Sequence, residues 1–272
     1  MQRLATAAVG VPLALAAVFL LSDRWFFVVM ALVFEGAVLE YVAIARKRAP
    51  HAPLALLLVF VPLAAAGIYL ALVDRRGLTE VEVLAVAAAL SVGLGALLLF
   101  SRTPVEESIA TLGIFGFGIP YLALPIAAIV RLQRADPWLV FLLMAIVWLG
   151  DTAAFYVGSR LGRHKMAPVV SPKKSWEGAA AGLATAVVAA VIWSLWRRGE
   201  LRAGFLAMAA ATAVAAQVGD LVESMIKRDA GVKDSGSVLP GHGGFLDRVD
   251  AMMFAAPVML LGVWLLGMET AR

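Results

Sequence analysis

The stretch SMIKRDAGVKDSGSVLPGHGGFLDRVD, residues 224–250, decides how the rest of the chain is read. It concentrates Lys227, Arg228, Asp229, Lys233, Asp234, His242, Asp247, Arg248 and Asp250 between two strongly apolar runs, 203–226 and 249–268. Each run has roughly the 20 residues a helix needs to cross a bilayer. Ionisable groups of both signs held between such helices are costly, so the island is a functional-site candidate.

Seven further apolar runs precede it, at approximately 4–22, 25–45, 53–73, 81–100, 109–130, 137–159 and 178–196. The pattern predicts an all-α, polytopic integral membrane protein with about nine transmembrane helices. Composition agrees: the 272 residues are 62% hydrophobic and 15% charged, against about 45–50% and about 25% in soluble domains. The first run is followed by Asp23-Arg24-Trp25 without a small-residue cleavage site, so it reads as a span and not a signal peptide. With no cysteine, disulfides and thiolate metal sites are excluded. The net charge of +4 fits lipid-facing loops. No nucleic-acid-binding motif is visible, and no nucleic-acid partner is expected.

The chain divides by character at about residue 135. Region 1–135 reads as about five helices that supply packing, a dimer contact or a lipid cavity. Region 136–272 reads as a catalytic region of about four helices with polar loops at 160–177 and 227–248. In the first region Glu35 and Glu40 share one apolar span. Glu40 is expected to snorkel to the boundary; Glu35 is either a packing residue or a site residue. Gly113, Gly116 and Gly118, followed by Pro120 and Pro125, predict close packing and a bend. With the N-terminus inside, fourteen Lys and Arg fall on the cytoplasmic side against nine outside. Without the two polar loops the bias reverses, so charge alone leaves the orientation open.

In the second region polar residues recur with chemical purpose. Asp151 stands inside the apolar run WLGDTAAFYVGSRLG, where a carboxylate costs about 2.5–3.5 kcal/mol and needs a partner or a task. Ser171-Pro172-Lys173-Lys174-Ser175 brings hydroxyls and ammoniums to a helix start, a phosphate cradle or a lipid-surface patch. Asp220, Ser224 and Lys227 fall on one helical face with Glu223 beside them, and Glu223–Lys227 has ion-pair spacing. Asp247 and Asp250 share a face three residues apart. Carboxylates Asp220, Asp247 and Asp250, with no cysteine and one nearby histidine, suit a hard oxygen-ligated cation such as Mg²⁺. Pro240-Gly241-His242-Gly243-Gly244 offers a glycine turn whose backbone can approach a phosphate, with His242 either orienting it or moving a proton.

These residues also carry a resemblance. Ser224-x-Ile-Lys-Arg228, Lys233-Asp234 and LPGHGGFLDRVD (239–250) together resemble the signature of the CDP-diacylglycerol synthase (phosphatidate cytidylyltransferase) family, bacterial type. Gly150-Asp151, the block SPKKSWEG (171–178) and Gly219-Asp220-Leu-x-Glu-Ser224 match further blocks of that family. The resemblance covers roughly 145–252. Ser175 stands where the family more often has Thr, and Ala251 where Ser is common.

The resemblance implies a metal-dependent reaction of CTP with phosphatidate, giving CDP-diacylglycerol and diphosphate, in a multi-pass inner (plasma) membrane protein. Because CTP is cytosolic, it implies cytoplasmic catalytic loops; it also implies a homodimer. By residue, Asp220, Asp247 and Asp250 would hold Mg²⁺, with a second metal or a monovalent cation left open. Lys227, Arg228, Lys233 and Arg248, in a catalytic set with Asp234 and His242, would neutralise substrate phosphates. Asp151 and Glu223 would act as ligands or orient a lysine. Ser171, Lys173, Lys174, Ser175, Ser224, Gly243 and Gly244 would bind substrate. A CTP-dependent membrane lipid kinase and an ion-coupled transporter are the rival readings.

Overall fold

The computed structural model describes residues 2–73, 92–96, 99–101, 103–236 and 243–268, with main chain only at 2–7 and 9. Its helices are α1 (Gln2–Leu20), α2 (Asp23–Ala45), α3 (Leu57–Val73), α4 (Ser108–Ala135), α5 (Pro137–Leu161), α6 (Trp176–Arg198), α7 (Ala203–Asp229) and α8 (Leu246–Leu265). Seven helices among the described residues are long and apolar enough to cross a membrane. The all-α, polytopic expectation holds. The predicted span at 81–100 lies mostly outside the described residues, which include helical turns at 92–96. The polar loop at 160–177 has more order than the sequence suggested. It forms an antiparallel hairpin of β1 (Lys165–Ala167) and β2 (Ser171–Ser175).

Helix boundaries follow local chemistry. Asp136 accepts from Trp138 N at 3.0 Å and Pro137 occupies the first turn, so α5 starts where free N–H groups have a partner. Ser175 Oγ caps α6 by accepting from Gly178 N at 3.2 Å, and Gly199, at φ 69°, ends it. In α4 the outcome differs from the expected glycine packing. An added Cβ at Gly113 or Gly116 would meet nothing within 4 Å, and only Gly118 lies against a neighbour, the Tyr41 ring. The helix runs unbroken through Pro120 and Pro125.

Small residues set the close contacts that matter for the polar end. A Cβ on Gly178 would lie 2.7 Å from the Ala154 carbonyl, so α5 and α6 touch backbone to backbone. A Cβ on Gly219 would lie 2.7 Å from the Asp250 carbonyl. That approach carries Asp220 of α7 up to Asp250 of α8. Helix α8 also packs on α4 and α2, which joins the two regions through one helix.

Polar contacts gather at the two ends of the bundle. At one end Arg48 meets Asp229, His51 meets Glu107, and Arg228 meets the Val170 carbonyl. The segments after α2, before α4, after α5 and after α7 thus share one end. At the other, Asp23 meets Arg134 and Tyr69, Asp136 meets Arg197, and Gln133 donates to the carbonyls of Val18 and Leu21.

Candidate active site

The last three turns of α7 supply the first part of the site. Asp220 points to β2 of the hairpin, where Lys174 Nζ lies 2.5 Å from its Oδ2. One turn later Ser224 Oγ is 3.5 Å from Asp220 Oδ1. A further turn brings Glu223 and Lys227 together: Nζ is 2.5 Å from Glu223 Oε2. The expected i,i+4 pair therefore forms, but it has a third member. Lys227 Nζ is also 2.6 Å from Asp247 Oδ1 at the start of α8. Glu223 is fully buried and Lys227 nearly so, so the ammonium compensates a carboxylate that water does not reach.

Asp247 is the most heavily bonded acid of the site. Besides Lys227 it accepts from Gly244 N at 2.9 Å and from Ser235 N at 3.1 Å. A side chain from the first turn of α8 thus reaches back over the segment that precedes it, as capping acids do. Gly243 takes φ 77°, and a Cβ there would meet Asp247 Oδ2, so the turn closes on the carboxylate only with glycine.

The sequence reading missed Glu40. It does not snorkel; it is 6% exposed. Its carboxylate accepts from Ser235 Oγ at 2.6 Å, Phe245 N at 2.9 Å and Leu246 N at 2.9 Å. Glu35, the acid expected to matter more, is half-buried. The available signal was a second acid in an apolar span; what hid its role is a separation of more than 190 residues from its partners.

Asp151 and Asp250 are the remaining acids. Asp151, Asp220 and Asp250 act on one another electrostatically, with Lys174 and Arg248 the cations that bear on Asp151. Asp250 accepts from Ala251 N at 2.7 Å, and neither it nor Asp151 has an ion-pair partner within 4 Å among the described residues. Asp151, Asp220 and Asp250 offer only oxygen donors, which fits a hard divalent cation in kind. Among the described residues no three acids converge as a finished metal cage; Lys174 and Lys227 occupy the near side of Asp220 and Asp247.

The other expected residues stand around this centre. Arg228 is exposed and donates to the carbonyls of Val170 and Val232, fastening the hairpin to the end of α7. Lys233, Asp234, Arg248 and Lys173 are exposed, and Ser171 is half-buried on β2. Ser175 is buried as the cap of α6. His242 and the start of its glycine turn lie outside the described residues.

Residues 1–266 match the model of the cytidylyltransferase family. The phosphatidate cytidylyltransferase of Haemophilus influenzae is 32% identical over 281 aligned positions, which cover 94% of this chain and 96% of that protein. That of Bacillus subtilis is 35% identical over 60% of this chain and 63% of its own length. That of Pseudomonas aeruginosa is 42% identical over 47% and 48%. A family match spanning nearly every residue, on a chain whose lysines and carboxylates meet at one end of a membrane bundle, has one consequence: the chain belongs to the cytidylyltransferase family.

Proposed function

We infer that the chain is a phosphatidate cytidylyltransferase: CTP and phosphatidate give CDP-diacylglycerol and diphosphate. An oxygen of the phosphatidate phosphate forms a bond to the α-phosphorus of CTP, and the bond from that phosphorus to the β-phosphate bridging oxygen breaks. The nucleophile needs little deprotonation, because the second pKa of a phosphate monoester is about 6. The barrier is the approach of one anion to another, so fixed positive charge is what a protein must supply.

The observation that carries this reading is the Glu223–Lys227–Asp247 arrangement, with Lys174 on Asp220 beside it. Two acids from different helices hold one ammonium in a fixed, nearly dry position, from which it can pass from a carboxylate to a phosphate. Lys227 and Lys174 present positive charge to the phosphates, and exposed Lys233 and Arg248 attract them from the aqueous side. Asp220, Asp247 and Asp250 would hold Mg²⁺, which when bound neutralises phosphate charge and stabilises the leaving diphosphate. The acyl chains of phosphatidate stay in lipid beside α7 and α8. Since CTP is cytosolic, the end bearing the hairpin faces the cytoplasm and the protein lies in the inner membrane. The relatives' names favour cytidylyl transfer over the lipid-kinase reading.

Diphosphate release by purified protein in mixed micelles tests this directly. Release is expected only when CTP and phosphatidate are both present, and EDTA should stop it. Folded protein that releases none would overturn the reading; labelled phosphate moving from CTP to a lipid alcohol would install the kinase instead.

A further inference from the structure

We propose that Glu40 of α2 is a positioning residue for the reaction: it caps the N-terminus of α8 from across the bundle and thereby fixes Asp247. The residue before α8, Phe245, supplies no side-chain cap to the helix. The free N–H groups of Phe245 and Leu246 instead donate to the two oxygens of Glu40 at 2.9 Å. A carboxylate also suits the positive end of the helix dipole there.

Two further observations make this a built seat and not a chance contact. The first is shape. Gly36, one turn before Glu40, lies under the Phe245 ring, where a Cβ would come within 2.6 Å of it. Gly236 and Gly244 close on the carboxylate from the other side, and a Cβ on either would collide with it. The second is a hydroxyl relay. Ser235 Oγ donates to Glu40 at 2.6 Å and accepts from Asp247 N at 3.3 Å, while Ser235 N donates to Asp247. Glu40 therefore grips both the segment before α8 and the first turn of α8, and Asp247 follows directly on the second grip. Asp247 in turn holds Lys227. A shift of the α8 start moves the acid and the ammonium together.

Helix α2 has a second hold of opposite sign. Arg48, just past its end, forms an ion pair with Asp229 at 2.8 Å and donates to the Asp229 carbonyl, at the C-terminus of α7. An acid at the start of α8 and a guanidinium at the end of α7 each match the local dipole. One helix of the first region thus spans the two helix ends that carry the site.

The kinetic part rests on the cytidylyltransferase reading; the structural part does not. The experiment compares wild type, Glu40→Gln and Ser235→Ala in detergent by kcat, thermal unfolding and hydrogen exchange. Glutamine replaces one acceptor with a donor that faces N–H and O–H groups. It should lower kcat about tenfold to a hundredfold, as loss of an orienting partner does. Exchange should quicken in the peptide over 243–250, while α5 and α6 exchange at wild-type rates and the protein still unfolds in one cooperative transition. Ser235→Ala removes one of the three bonds and should show the same pattern, more weakly. If Glu40→Gln does not accumulate folded, Ser235→Ala carries the test. Unchanged kcat and unchanged local exchange would overturn the proposal. So would exchange that rises in every helix with a fallen midpoint, which marks a merely structural acid. An inactive wild type would sink the proposed reaction and leave the exchange arm to judge the cap.

Discussion

The two ends of the bundle use the same kinds of residue for different ends. At the far end, among the described residues, carboxylates meet guanidiniums: Asp23 with Arg134 at 2.8 Å and Asp136 with Arg197 at 3.0 Å. Trp138 and Trp196 stack edge to face there, with Arg197 over both rings. Single Arg–carboxylate contacts and interfacial indole make a structural border there. At the hairpin end Asp220, Glu223 and Asp247 meet lysines, and the acids outnumber those lysines. Asp151, Asp220, Glu223, Asp247 and Asp250 cluster around Lys174 and Lys227. A lysine is a compact charge on a flexible stem, able to pass from a carboxylate to a phosphate. The difference teaches that a reaction site in a membrane protein is marked by carboxylates left without a cationic partner among the described residues, such as Asp151 and Asp250, and a structural border by carboxylates paired one to one with guanidiniums.

The largest expected effect breaks that comparison if it fails. Asp247→Asn and Asp220→Asn should each lower diphosphate release at least about a hundredfold, since each removes charge that orders the reacting phosphates. Asp23→Asn at the far end should leave kcat at the wild-type value. Equal losses at both ends would mean that carboxylates here serve folding alone. Next comes Lys227→Met, which strands Glu223 as an uncompensated buried charge and should cost about 3–5 kcal/mol in detergent unfolding. Adding Glu223→Gln should restore most of that stability without restoring activity, which would separate the two roles of the lysine.

Smaller effects sharpen the contrast. Gly219→Ala forces α7 off the Asp250 carbonyl and should cost about 1–3 kcal/mol, with a parallel fall in kcat as Asp220 moves from Asp250. Gly113→Ala, which points into open space, should raise stability by roughly 0.5–1 kcal/mol through helix propensity and leave kcat alone. The smallest loss is expected from Asp136→Ala. It removes a helix cap and an ion pair at the far end, about 1 kcal/mol, and unfolding should register it while turnover does not.

Much of this was legible in the chain. Apolar runs of spanning length can satisfy their backbone in lipid only as helices, so 62% hydrophobic composition and the periodic breaks settled the architecture. Helical spacing put Asp220, Ser224 and Lys227 on one face, and the ion pair of Glu223 with Lys227 followed from local geometry. Position within one helix is a short-range property, and short-range properties can be read in order. Only the tertiary structure decided which acid each ammonium serves. Lys174 on Asp220 and Lys227 on Asp247 join residues 46 and 20 apart, through a hairpin and a helix contact that glycines permit. Glu40 is the clearest case. Its sequence neighbourhood is that of a boundary acid, and its partners at 235, 245 and 246 come within reach only once α2 and α8 pack. The residue types were written in the sequence; the pairing of charges was set by which helix ends the packed bundle brought together.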